Sequence, residues 1–135
     1  MSTEIPQFHV NCQIQVGNGL FRNLHESISG LGFKKPALLI DEGFLSTELC
    51  KRSIAKLKEI FGSKNVNVHP SRGTQEPTYN YVDEVTDLFR QWDFDILVGV
   101  GGGSCLDLAK GIAGLKTNNG KALEYRGFDK LENAN

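Results

Sequence analysis

Val98-Gly99-Val100-Gly101-Gly102-Gly103-Ser104-Cys105-Leu106-Asp107-Leu108-Ala109-Lys110 runs from an apolar stretch, through consecutive glycines, into a segment with helical patterning. Glycine is needed where backbone comes close to a ligand or takes a positive φ. Successive amides at a helix start form a concavity for anions, aided by the positive end of the helix dipole. The stretch predicts strand, glycine turn and helix, with a phosphate or pyrophosphate resting on Gly102, Gly103 and Ser104. It is not the common dinucleotide fingerprint: counted from Gly99, Ser104 occupies the third glycine position, and counted from Gly101, Leu106 does. It is not a P-loop either, because no Lys-Ser or Lys-Thr pair follows. Ser104 and Asp107 also fit a local reading as a capping box, and both roles can hold together. Lys110 can pair with Asp107 one turn earlier.

Working outward, Ile96–Val100 and Ala37–Ile40 are continuous apolar runs, as expected for parallel strands covered on both faces. Val66-Asn67-Val68 is a weaker third strand. Cys50, Ile54, Leu57 and Phe61 mark one face of a helix between them, and Val82, Val85, Leu88, Phe89 and Trp92 mark a second. Pro77-Thr78 reads as the start of that second helix, with Asp83 and Glu84 favourably placed near its first turns, and Trp92-Asp93-Phe94-Asp95 as its exit into the next strand. Strands alternating with such helices imply right-handed crossovers onto a largely parallel sheet, a single α/β domain over residues 1–135. Leu20, Leu24, Ile28 and Leu31 predict a further helix closed by Gly30 and Gly32. Phe8–Val16 alternates strictly between apolar and polar, which predicts an antiparallel edge strand and an edge for a homodimer. Residues 117–135 are polar and glycine-punctuated and predict no further element. A tail of that kind predicts that the chain is cut from something longer.

Composition narrows the function. The 135 residues are 39% hydrophobic, with 15 basic and 16 acidic side chains and a net charge of −1. That balance gives no positive field for nucleic acid or an anionic membrane. No apolar run approaches the ~20 residues of a membrane span, and Met1-Ser2-Thr3-Glu4 opens no signal peptide. Cys12, Cys50 and Cys105 are odd in number and widely spaced, which predicts a reducing, cytoplasmic setting without disulfides. His9, His25 and His69 form no metal-binding motif and are given no catalytic role. Cys105 reads as a small helix-start residue and not as a nucleophile.

Asp41 directly follows the run Ala37–Ile40. Ligands of open parallel sheets collect at the carboxyl ends of strands, where the glycines should also lie. A carboxylate there can accept from the adenosine ribose hydroxyls and would repel a 2′-phosphate, which favours NAD over NADP. Locally, Asp41-Glu42-Gly43 is also a plain turn. Asp41 precedes Gly101 by 60 residues, whereas the ordinary Rossmann acid follows its loop by ~20, so the topology must differ.

The strand ending in Asp41, then Glu76-Pro77-Thr78, then Asp95-x-x-x-Gly-x-Gly-Gly-Gly-Ser-x-x-Asp-x-Ala-Lys through Lys110, resembles the iron-containing (group III) alcohol dehydrogenases. Gly17-x-Gly19 and Tyr125-x-Gly127 fit as well, so the likeness covers nearly the whole chain. It implies the amino-terminal dinucleotide-binding domain of such an enzyme, with a Rossmann-like, dehydroquinate synthase-like fold. By that resemblance Gly101, Gly102, Gly103 and Ser104 hold the pyrophosphate, Asp107 lies toward the nicotinamide and Asp41 reads the ribose. It further implies hydride exchange between NAD(P) and a small primary alcohol or aldehyde. A divalent metal, iron or zinc, would polarise that substrate from a second, helical domain. Glu76 stands where many members carry Asn. The chain also stops before the family's threonine-rich loop and its aspartate–histidine metal site, so no residue here matches a metal ligand, and the 135 residues are expected not to catalyse alone. The glycerol dehydrogenase and dehydroquinate synthase branches share the layout but usually lack Ser after the glycines. A non-enzymatic phosphate- or nucleotide-binding module, complete at this length, is the alternative from another class. A receiver domain would need an acidic pair and a lysine that do not appear.

Overall fold

A computed structural model describes residues 12–72, 76–127 and 129–133. After a 3-10 turn at Leu20–Asn23, helix α1 (Leu24–Gly30) buries Ile28. It ends where Gly32, at φ 84°, lets Phe33 N–H reach back to the Ile28 carbonyl. Strand β1 (Pro36–Asp41) follows, buried from Pro36 to Ile40. Helix α2 (Glu42–Leu45) is one turn, and helix α3 (Glu48–Phe61) starts at Thr47, whose hydroxyl accepts from Cys50 N–H. Strand β2 (Asn67–Ser71) leads to helix α4 (Tyr79–Arg90), capped by Thr78 as its sequence foretold. Strand β3 (Ile96–Val100) and helix α5 (Gly103–Lys116) complete the order.

The three strands are parallel in the order β2-β1-β3. Side chains of β1 alternate between two cores, which explains its unbroken apolar run. Ala37 and Leu39 meet Val85, Phe89, Leu108 and Ile112 of α4 and α5, whereas Leu38 and Ile40 meet Ile28, Cys50 and Leu57 of α1 and α3. The chain therefore places α3 on one face, then returns past β1 and places α4 and α5 on the other.

Two charged clamps fix this arrangement. Asp95 accepts from the backbone amides of Lys34 and Lys35, both at 2.8 Å, and pins the entry of β1 to that of β3. The C-terminal ends of α4 and α5 cap one another. Arg90 donates to the carbonyls of Leu115 (2.8 Å) and Asn118 (2.9 Å), while Lys116 donates to those of Trp92 (2.9 Å) and Phe89 (3.2 Å).

Two expectations need correction. The strand foreseen over 8–16 lies partly outside the described residues. Over 12–17 the chain forms no strand, and Ile14 and Val16 are 79% and 93% exposed, because no neighbouring strand among the described residues pairs with them. The segment after α5 is more ordered than its composition suggested. Ala122–Tyr125 forms a 3-10 turn, and buried Asn118 accepts from the amides of Glu132 and Asn133 and donates to the Gly114 carbonyl. One side chain thus supplies the acceptor and donor that the local pattern lacks.

Candidate functional site

β1 sends its helices to one face of the sheet and β3 sends α5 to the other, so the crevice between their carboxyl ends is the topological switch point where ligands of open α/β sheets gather. Ile40 pairs with Val100, which sets Asp41 beside Gly101. The contact is close: a β-carbon on Gly101 would lie 3.0 Å from the Asp41 β-carbon and 2.8 Å from that of Cys105. One step earlier, a β-carbon on Gly99 would meet Ala109 at 2.9 Å, so this glycine serves the packing of α5 on the strand.

Gly102 and Gly103 differ. Among the described residues a β-carbon on either would meet no atom within 4 Å, and neither has a positive φ. Among the described residues neither packing nor backbone conformation calls for glycine at these positions. Their surface is open where α5 begins, and a cradle that a β-carbon would narrow fits the close approach of a phosphate to backbone. Gly102 is the N-cap residue and, as a glycine, offers the helix no capping side chain. The capping-box reading of Ser104 and Asp107 is therefore corrected: Ser104 is the second helical residue, two positions past the N-cap. Asp107, in the next turn, pairs through Oδ1 with Lys110 Nζ at 3.1 Å.

Asp41 serves its own turn as well. Its Oδ1 accepts from the amides of Gly43 (3.0 Å) and Phe44 (3.2 Å) and caps α2. Among the described residues Oδ2 of this half-buried carboxylate takes no hydrogen bond. The structure thus brings Asp41, Gly101, Gly102, Gly103 and Ser104 to one end of the sheet, with Asp107 a turn deeper on α5.

Cys105 lies beneath the turn, 1% exposed, its thiol donating to the Val100 carbonyl at 3.4 Å. Burial pushes its pKa up, which keeps the sulfur protonated and unreactive. Buried Ser71, the register partner of Asp41 at the end of β2, also faces this end of the sheet. Sequence patterning missed it, because its register depends on a strand that runs three residues past the apolar pair Val66 and Val68. His69 packs edge-on to Phe89 and Trp92, and burial holds its pKa below 6.5. Among the described residues no three His, Cys, Asp or Glu side chains gather to hold a metal ion.

An open parallel sheet with a glycine turn and a helix N-terminus at its switch point defines a Rossmann-like α/β domain. The family model for iron-containing alcohol dehydrogenase matches residues 11–135, and the chain belongs to that family of oxidoreductases. It is 33% identical over 127 residues to alcohol dehydrogenase 4 of Schizosaccharomyces pombe, covering 93% of this chain and 28% of that protein. It is 31% identical over 118 residues to the NAD-dependent methanol dehydrogenase of Bacillus methanolicus, covering 87% and 30%. The crystal structure of NADH-dependent butanol dehydrogenase A from Thermotoga maritima superposes with a TM-score of 0.77 at 23% identity, over 97% of this chain and 33% of that one, a likeness of fold. The chain therefore spans a third or less of the length of these relatives. Among the described residues, no helix is long and apolar enough to cross a membrane.

Proposed function

We propose that this chain is a dinucleotide-binding domain of the iron-containing alcohol dehydrogenase type, built to hold NAD for hydride exchange with a small primary alcohol or aldehyde. The observation that carries the reading is the pair of glycines, Gly102 and Gly103, that packing among the described residues does not require, set beside a carboxylate with one oxygen unpaired among them.

In this reading the first-turn amides of α5 receive the diphosphate. Each charge-assisted hydrogen bond is worth about 1.5–3 kcal/mol, and the helix dipole adds to them. Asp41 Oδ2 accepts from the adenosine ribose and repels a 2′-phosphate, so NAD is preferred to NADP. Asp107 faces the nicotinamide end. NAD, when bound, supplies the hydride acceptor; the residues described here bind it, orient it and choose its sugar. The metal and most of the alcohol pocket are contributed by residues outside this chain, so the 135 residues bind cofactor without turnover. The reducing cytoplasm is the proposed setting.

Titration calorimetry with NAD, ADP-ribose and NADP tests the reading. NAD and ADP-ribose should bind comparably and NADP at least about tenfold more weakly, a difference of ~1.4 kcal/mol. Asp41→Asn keeps a capping oxygen and should narrow that gap without unfolding the protein. An equal response to every phosphate compound would instead identify a generic phosphate-binding module.

A further inference from the structure

On the face of the sheet away from α4 and α5, a groove of about 420 Å³ lies where the turn Leu20–Asn23 meets α3, lined by Arg22, Leu49, Arg52, Ser53 and Lys56. The four α3 residues are spaced three and four apart and form one stripe of that helix. Neither arginine has a carboxylate within ion-pair distance among the described residues, and Lys56 shares its charge only with Glu59 at 3.6 Å. Arg52 and Lys56, one turn apart with like charge, repel each other. Ser53 lies between them, 6% exposed, and its hydroxyl makes no hydrogen bond among the described residues although it lines the groove. Among the described residues, three cationic side chains converge on one concavity with no carboxylate paired to either arginine, and a solvent-reached hydroxyl lies between them, which distinguishes this patch from a face of alternating charges.

We infer that this groove is a second anion site, distinct from the glycine turn, that binds the phosphate group of a small phosphorylated molecule. Guanidinium groups match phosphate oxygens in a planar, paired geometry. The Ser53 hydroxyl supplies a further donor at the groove floor, and Leu49 offers an apolar wall for the remainder of the ligand. The floor is recessed, so a compact phosphate reaches Ser53 more readily than a carboxylate side chain on a protein surface does.

The test uses inorganic phosphate, titrated into the full chain already saturated with ADP-ribose, and follows amide resonances by NMR. Saturable shifts centred on Arg22, Arg52, Ser53 and Lys56 are expected, together with a phosphate-dependent rise in melting temperature. The double variant Arg22→Gln/Arg52→Gln should weaken phosphate at least about tenfold, fold as well as the parent in phosphate-free buffer, and bind ADP-ribose unchanged. Shifts confined to Gly101–Cys105, shifts reproduced by chloride at equal ionic strength, or phosphate affinity untouched in the double variant would each overturn the assignment. Loss of ADP-ribose binding in the parent would count against the dinucleotide reading and leave this site to be judged on its own shifts.

Discussion

Three neighbouring glycines in one turn have unlike reasons for being glycine, and this difference yields the sharpest test at the level of residues. Gly101 is pressed against Asp41 and Cys105, so Gly101→Ala forces backbone apart and should destabilise by about 1–3 kcal/mol. Gly103 opens α5 with no described residue close to where its β-carbon would lie, so Gly103→Ala should leave stability unchanged or raise it by up to about 1 kcal/mol. The same change should weaken NAD roughly tenfold by placing a methyl where the diphosphate approaches. Urea denaturation and calorimetry on both variants separate the effects. The run of glycines was plain in the sequence, but which of them yields to packing and which to a ligand depends on where Asp41 and Cys105 come to rest. His69 carries a second prediction. Folding lowers its proton affinity, so below pH 6.5 the unfolded chain binds more protons and stability falls as pH drops through that window. Well above it neither state binds the proton and the slope fades. Glu84 opposes the shift and Arg72 reinforces it, burial dominating. Urea midpoints measured on either side of pH 6.5 should show this slope, and His69→Gln should remove it.

Among the elements, α4 and α5 depend on one another for their C-terminal caps. Arg90→Ala leaves the last carbonyls of α5 without their charged donor and should cost about 1–3 kcal/mol. Lys116→Ala does the same to α4. Because both side chains stitch the same pair of helix ends, the double variant should lose less than the sum, a coupling that a double-mutant cycle reads directly. The helices themselves were legible from apolar spacing, and Thr78 from its place before Tyr79. The cross-capping was not, because Arg90 and Leu115 are 25 residues apart and meet only through packing. For the same reason Asn118 looked like one polar residue among many. Its pairing with residues 132 and 133 gives the final segment an order that local composition could not announce. Conversely, the alternation over residues 8–16 was read as a strand, yet its described part, 12–16, forms none, because a period of two specifies a strand only where a neighbouring strand accepts its hydrogen bonds.

For the molecule as a whole, the crossover rule and two apolar runs were enough to foresee a parallel α/β sheet. They did not foresee that the switch point falls between β1 and β3. That placement follows from the order β2-β1-β3, and it is what sets an acid 60 residues upstream of the glycine turn beside it. The site is therefore a property of topology, while its residue types were visible in one dimension. The central claim is that the start of α5 and the end of β1 form one receptor for a dinucleotide. Amide resonances recorded during titration with ADP-ribose test it most directly. The account predicts large, saturable shifts at Gly102, Gly103 and Ser104 together with Asp41 and Gly43, and little change at the Arg90–Lys116 end of the helices. Saturation that leaves those five residues unmoved, or moves only the far ends of α4 and α5, would contradict it.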